Sequence, residues 1–539
     1  MNKARLYFET IRHLKPSQIM YRVWRKAGGS TRLSPRHRVL ANMECIDLDC
    51  IPVVPELDFD PLFQSRFDAD KLLDDRVVLL NHEETVDWNT SWHKTLESPL
   101  WSFNLHYCEY ILVLAYAYRL SGDSRYYEKA KMIIESWIDN CPEEKGGNAW
   151  EPYTISLRVV NWLAFLGELK GELKNDHGFM LAVNQSLACQ YSRLSRDLEV
   201  DLLANHYLEN LKALVLLACY FQDSATLNLA ITKLCEQVDE QILLDGMHFE
   251  LSPMYHKIVF EDLLRVALAM GRRNCSIDFI KRFRLQEMLD CLYSFERYTN
   301  TTPLFNDCGN NVSKSKESLI LAAKNHLGIY PRYKDCFPYA GYYLLQDECE
   351  GHVFKVIVDA GELGPEYAMG HSHCDALSVE LYVDGEPVLV NSGTYAYQSK
   401  DRLEYKSTLA HNTVMANGDE QAVCWASFRT CLAGAAHLLD KTGNTIIAVF
   451  DRASTEIKRS VRLENGVLSV TDVMSDACLS QSWHIAAPDL LEVSTNAERC
   501  ELAHGYYSSD FGMRKEIVSH QFSGPDEICT EFRIRYEVK

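Results

Sequence analysis

Three clusters of residues in this sequence could do acid–base or ligand chemistry. The first is Asn205-His206-Tyr207-Leu208-Glu209-Asn210. On a helix, a spacing of three puts His206 and Glu209 on one face, and a spacing of four adds Asn210. Such a group serves either as a helix cap with an internal hydrogen-bond network or as an anion site at a helix amino end, where partial positive charge collects. The second cluster is residues 245–256, DGMHFELSPMYH, in which Gly246 and Pro253 mark a loop before helix resumes at FEDLL. Tyr255, next to His256 on the loop rim, is a candidate proton donor. An ordinary phenol pKa of about 10 means that a tyrosine base needs help from nearby cations or a charged substrate group. The alternative is an interface tyrosine beside a satisfied histidine. The third cluster joins Gly370-His371-Ser372-His373-Cys374-Asp375, Val390-Asn391-Ser392-Gly393-Thr394-Tyr395 and Ala410-His411-Asn412-Thr413. On a strand His371 and His373 share a face, and His411 from a neighbouring strand would complete a metal site suited to zinc.

The elements that position these clusters change character along the chain. Over residues 100–326 apolar residues recur at three and four, as in NLHYCEYILVLAYAYRL, YTISLRVVNWLAFLGELK and LENLKALVLLACYF. Short polar breaks separate these runs, and Gly122 followed by Asp123-Ser124 reads as a helix stop and a helix start. Helix pairs with brief connections over such a length predict a helical array, closed into a toroid or stacked as a solenoid. Beyond 338 the period becomes two, in runs such as HVFKVIVDAG and ALSVELYVDGEPVLVNSG, with hairpin turns at Asp384-Gly385 and Asn465-Gly466. The expected fold is therefore α+β and multidomain. A wrapping segment (1–99) precedes a helical catalytic domain (100–335), which is followed by an antiparallel β-sandwich (336–539) contributing histidines.

Composition narrows the function. The chain has 539 residues, 47% hydrophobic and 24% charged, with 55 Lys and Arg against 75 Asp and Glu for a net charge of −20. That profile belongs to folded domains and not to a disordered polymer. Duplex nucleic acid or an anionic membrane needs an extended basic face, so neither is an expected partner. An anionic substrate in a locally basic cleft remains compatible. No run reaches the roughly 18 apolar residues of a spanning helix. The eighteen cysteines are scattered, without a single CxxC, which favours reduced thiols. No export signal is legible at the start, so a cytoplasmic location is the expectation.

Taken together, WSFNLHY, AWEPYTISLR, NHYLEN, DGMHFELSPMYH, PLFND, GHSHCDALS, and NSGTYAY followed by AHNTV resemble the heparinase II/III family of polysaccharide lyases. They run in family order from about residue 101 to 414, and LKPSQIMYRVW resembles the start of members found with bacterial surface-polysaccharide genes. The resemblance implies an (α/α) toroid followed by antiparallel β-sheets, an acidic polysaccharide substrate, and β-elimination beside a uronic acid. It also implies that Asn205 and His206, with Glu209 on the same face, hold or neutralise the sugar carboxylate, and that Tyr255 and His371 face each other across the scissile bond. Trp150, Arg158, His248 and Arg402 are the further candidates for substrate contact, with Lys257 and Lys406 as spare cations. His373 and His411 match metal-holding positions, but Asn391 stands where the third ligand is an Asp, and an amide is a weaker ligand. Leu251 replaces an expected Arg. Family members often work in the periplasm, which is the alternative location.

Two other readings stay open. A helical-toroid glycoside hydrolase would need two carboxylates flanking the bond, for which Asp245, Glu250 and Asp307 are available. A non-catalytic glycan-binding protein of a polysaccharide assembly system would account for Asn391 and Leu251.

Overall fold

The computed structural model describes residues 2–30, 46–94, 99–271 and 278–535. Its helical part is a ring of inner helices. Ile111–Ser121, Pro152–Glu168, Ala204–Tyr220, Pro253–Gly271, Leu285–Glu296 and Lys316–Ala322 each pack on the next. Ser124–Asn140, His177–Leu194 and Ser224–Gln241 pack outside the first three as hairpin partners. The polar breaks make the hairpins. Gly122 takes the left-handed conformation (φ 70°) that ends one helix, and the Asp123 carboxylate accepts the Arg125 N–H that starts the next.

Residues before 99 close this ring. Pro55–Asp58 packs on Lys316–Ala322, while Pro61–Phe67 and Ala69–Leu73 pack on Ile111–Ser121. Arg265 pairs with Asp58 at 2.8 Å, and Asp60 accepts the Ser315 N–H at 2.9 Å. The helix Ala204–Tyr220 shows what the ring does to a side chain. Every residue of it is buried except His206, as a helix apolar on all sides must be.

The β part is antiparallel as expected: thirteen strands among the described residues pair into one continuous network, and Val423–Ala426 with Arg429–Cys431 forms a separate hairpin. Two long strands, Val467–Ile485 and Lys515–Ile534, make the network continuous. The first half of Val467–Ile485 pairs with Thr455–Glu464, and its second half pairs with Val414–Ala416 and touches Glu386–Leu389. A register shift between Val473 and Cys478 lets the pair bend. Both halves therefore share one apolar core, which includes Val356, Leu381, Val461 and Trp483. Asp384-Gly385 and Asn465-Gly466 sit at positive φ in tight hairpin turns.

A helical hairpin, Lys3–Ile11 and Pro16–Lys26, straps the two parts together. Arg25 pairs with Asp197 and Asp201 at 2.7 Å each, and Lys15 with Glu240 at 2.5 Å, on the helical side. On the β side the Trp425 indole N–H donates to Thr10 at 3.1 Å and stacks edge-on against Tyr7. Among the described residues no helix is long and apolar enough to cross a membrane, and the cysteines are free thiols.

Candidate active site

A cleft of about 1270 Å³ lies between the ring and the β part. Asn205, His206, Glu209, Glu250, Tyr255 and His371 all line it, together with Tyr153 and Tyr397.

The ring wall is built at the amino end of Ala204–Tyr220. Leu203 and Ala204 both take positive φ, at 63° and 50°, a strained entry that aims the next two side chains. His206 Nδ1 lies 3.1 Å from Glu199, and Glu199 is held in turn by the Asn210 amide at 3.0 Å. Asn210 thus works behind the site. Burial opposes charge on His206, but Glu199, Glu250 and Glu209 outweigh it and raise its pKa above the ordinary histidine value. The Tyr153 ring lies 4.5 Å from the imidazole. Asn205 donates to Glu250 at 2.8 Å, while its own carbonyl oxygen is buried without a hydrogen-bond partner. Glu209 pairs with Lys212 at 2.5 Å, and Lys212 pairs also with Asp262.

Tyr255 sits in the first turn of Pro253–Gly271, not on a loop rim. Pro253 opens this helix, because proline's fixed φ and missing N–H suit a first helical position. The Tyr255 hydroxyl is 2.7 Å from the Tyr397 hydroxyl, and its ring is 4.4 Å from the His371 ring. Burial, followed by Tyr397 and Asp307, pushes the Tyr255 phenol well above its usual pKa. It is therefore a proton donor at rest.

His371 and His373 lie on a loop, not a strand, and reach the same carboxylate from opposite sides. His371 Nδ1 is 2.8 Å from Asp307 Oδ2, and His373 Nε2 is 2.9 Å from Asp307 Oδ1. Arg402 grips both oxygens at 2.5 and 2.6 Å, and Thr394 donates to Oδ1 at 3.1 Å. Burial alone would raise the Asp307 pKa, yet Arg402 and the two histidines hold it well below the carboxylate range. An ionised Asp307 accepts the His371 Nδ1–H, which leaves Nε2 as the nitrogen with a free lone pair.

The donor chemistry at His373 and His411 fits a cation in part. Asp307 behind His373 Nε2 and the Ser407 carbonyl, 2.8 Å from His411 Nδ1, both accept protons. Each fixes a tautomer. The remaining nitrogens, His373 Nδ1 and His411 Nε2, then face each other with lone pairs at 3.0 Å. Burial pushes His373 down to about 4 and His411 well below the usual value, so neither protonates readily to bridge the gap. Arg402 lies 3.4 Å from His373 Nε2, too far to displace the shorter contact to Asp307. Asn391 is not part of this pair. Its amide oxygen accepts from the Asn412 N–H at 3.1 Å and its nitrogen donates to Ser378 at 3.3 Å. Among the described residues no three His, Cys, Asp or Glu side chains are grouped so as to hold a metal ion by themselves.

Several sequence candidates do not line the cleft. Trp150 is buried against Trp137 and gives its N–H to the Cys141 carbonyl. Arg158 is fully buried, bonded to Gln190 and the His106 carbonyl and stacked 3.9 Å from Trp137. His248 lies behind Glu250, bonded to Gln241 at 3.1 Å. Arg402 serves Asp307, Lys257 pairs with Glu296 at 3.0 Å, and Lys406 donates to the Gly370 carbonyl. Leu251 is buried at φ 57° and its carbonyl accepts from Tyr342. The side chain of each is taken up by partners away from the cleft. Asp245 likewise accepts the N–H groups of Tyr339 and Ala340. Sequence reasoning missed Tyr397, Glu199 and Tyr153. The first sits in NSGTYAY and the third in AWEPYTISLR, so both were within quoted motifs.

Comparison with known proteins matches this arrangement. The model described as heparinase II/III N-terminus matches residues 60–337, and that described as heparinase II/III-like, C-terminal matches residues 331–525. The chain belongs to the heparinase II/III family. Among solved members, the crystal structure of heparinase III aligns with a TM-score of 0.68 at 18% identity, covering 96% of this chain and 92% of that one. The heparan sulfate lyase of Pedobacter heparinus aligns at 0.54 and 17%, covering 97% and 88%. These likenesses show the family fold. The heparin-sulfate lyase of Bacteroides thetaiotaomicron is 21% identical over 407 residues, 66% of this chain and 57% of that protein. This chain thus spans little more than half the length of the curated relatives that it matches.

Proposed function

We propose that this heparinase II/III family member is a polysaccharide lyase that eliminates across a glycosidic bond beside a uronic acid. The observation that carries the reading is the convergence, in one cleft, of the Tyr255–Tyr397 hydroxyl pair, the His371 imidazole and the Asn205–His206 pair. A C5 proton beside a carboxylate is weakly acidic, because that carboxylate resists further negative charge. His206, held charged by Glu199, and the free N–H of the Asn205 amide neutralise it. His371 Nε2 removes the C5 proton, the C–H electrons form the C4–C5 double bond, and O4 leaves with the proton of Tyr255. Tyr397, within hydrogen-bond distance, passes a replacement proton to Tyr255. The heparin-sulfate lyases among its relatives support elimination on an acidic polysaccharide. The test is to incubate purified protein with uronate-containing polymers and follow unsaturated ends by ultraviolet absorbance. New reducing ends without that chromophore would instead make it a hydrolase. Of the three carboxylates that reading had available, only Glu250 lines the cleft.

Charge on His206 gives the reaction a pH signature. Its raised pKa means that the imidazolium persists above the ordinary value of about 6.5 and is lost as pH climbs through the raised one. The stability contributed by its pairing with Glu199 follows the same sign, full below the unfolded pKa and lost at higher pH. KM is therefore expected to be lowest on the acidic side and to rise through that titration. His206→Gln should remove the inflection from the KM profile. An unchanged inflection in the variant would assign it to another group.

His373 Nδ1 and His411 Nε2 would hold a divalent ion, which would supply the positive charge that their facing lone pairs call for. Proton transfer needs nothing from it. Metal analysis of the purified protein should find a divalent ion, and a chelator should lower the melting temperature while His411→Ala abolishes that response. A metal-free protein whose melting ignores both chelator and added zinc would rule the ion out.

A further inference from the structure

Resting on the lyase reading, the charge lining the cleft limits the polymer it accepts. Among the described residues that line it, eight are Lys or Arg and nine are Asp or Glu. Most of the cations are already spent. Lys212 is held between Glu209 and Asp262 at 2.5 Å each, Arg25 between Asp197 and Asp201, and Lys314 pairs with Glu109 at 2.8 Å. A cation paired in this way presents little field to a ligand, and diverting it would strand a buried carboxylate.

Around the reacting centre the balance is more negative still. Glu199, Glu209 and Glu250 are buried at the cleft wall next to Asn205 and His206. Glu151, at the rim where Pro152–Glu168 begins, is exposed and has no cation in ion-pair contact among the described residues. Arg22 and Lys26 on the strap helix, and Arg429 stacked on Tyr7 and Trp425, are the exposed cations that line the cleft without a carboxylate partner among the described residues, and all three lie on the strap side and not around Asn205 and His206.

Sulfate recognition uses free guanidinium and ammonium groups, which can each meet a permanently charged oxyanion. One carboxylate per reacting sugar is met here by Asn205 and His206. Further anionic groups on that sugar or its neighbours would face Glu199, Glu250 and Glu151, none of which has a Lys or Arg partner among the described residues, in a partly desolvated cleft where like charges repel most strongly.

We infer that this cleft selects unsulfated uronic-acid polymers and rejects sulfated ones, with the carboxylates around Asn205 and His206 as the discriminating groups. The polymer is one whose charge is its uronate carboxylates alone.

The experiment pairs one backbone in two forms, an unsulfated glucuronate–N-acetylhexosamine polymer and the same polymer carrying N- and O-sulfate, alongside an unsulfated polyuronate. Initial rates of unsaturated-end formation are measured with the wild-type protein, and affinities are measured by titration calorimetry with Tyr255→Phe. The unsulfated form should be preferred by at least about tenfold, equivalent to about 1.4 kcal/mol. Glu151→Lys should narrow that gap by improving use of the sulfated form. Equal or better binding or cleavage of the sulfated form overturns the inference, as does failure to bind any of the polymers. Preferential binding of the unsulfated form with no unsaturated ends from any polymer upholds the inference and overturns the lyase reading alone.

Discussion

Tyr255→Phe should lower kcat on a cleaved uronate polymer by about 10²–10⁴-fold, the usual worth of a positioned proton donor. Phenylalanine keeps the ring that packs 4.4 Å from His371, so the cleft keeps its shape. What disappears is the hydroxyl, and with it both the proton for the leaving O4 and the contact with Tyr397 at 2.7 Å. The raised phenol pKa makes the donor role the natural one. A buried, protonated tyrosine flanked by another phenol and by Asp307 resists ionisation, so it gives a proton more readily than it takes one from C5. The loss should fall on kcat, with KM nearly unchanged, because the hydroxyl acts in the transition state. Tyr397→Phe should give a smaller loss, since it only resupplies the donor. Steady-state kinetics on both variants, with circular dichroism to show intact folding, make the comparison. Activity of Tyr255→Phe within about threefold of wild type would take Tyr255 out of the reaction.

Asp307→Asn should destabilise the protein by about 3–5 kcal/mol, the cost of leaving a buried charge without its partner. Asp307 is fully buried and accepts from Arg402, His371, His373 and Thr394 at once. The substitution keeps the shape but removes the charge that Arg402, itself only 2% exposed, depends on. It also replaces an acceptor oxygen with an amide N–H that opposes its neighbours. Urea unfolding followed by tryptophan fluorescence reads the loss. Removing both charges, as in Asp307→Asn with Arg402→Met, should restore part of it, because no stranded cation remains. No recovery in the double variant would mean that the histidine contacts, and not the ion pair, carry the stability. Catalysis should fall as well, because the tautomer of His371 loses the acceptor that sets it.

Much of the architecture was legible before any coordinates. Gly122 and Asp123 end and start helices because a left-handed residue and an N-terminal carboxylate are local requirements. Asp384-Gly385 and Asn465-Gly466 turn hairpins for the same reason. The shift from period three-to-four to period two marks where the helical part gives way to strands, the helical part ending at Leu327 and the first strand of the network starting at Cys336. The reading went astray where long-range geometry decides. Nothing local told that residues 55–73 complete the helical ring, or that Val467–Ile485 pairs with different strands along its two halves. Pro253 was read as loop when it opens the helix carrying Tyr255, since proline marks both.

At the site the same division holds. The kinds of residue were visible in sequence, because Asn205, His206, Tyr255 and His371 carry groups suited to taming a carboxylate and moving a proton. Their convergence was not, since they come from two helices and a loop separated by up to 166 positions. Nor was the direction of each side chain. Arg158, Trp150 and His248 stand in the same motifs, and they and Arg402 turn into the core, while Tyr397, with no periodic signal around it, turns to the cleft. Sequence by itself determined the order of helices and strands and the inventory of reactive groups, because both depend on neighbours along the chain. Only the tertiary structure decided which groups share a cavity and which are consumed as one another's partners, because burial and charge pairing depend on neighbours in space.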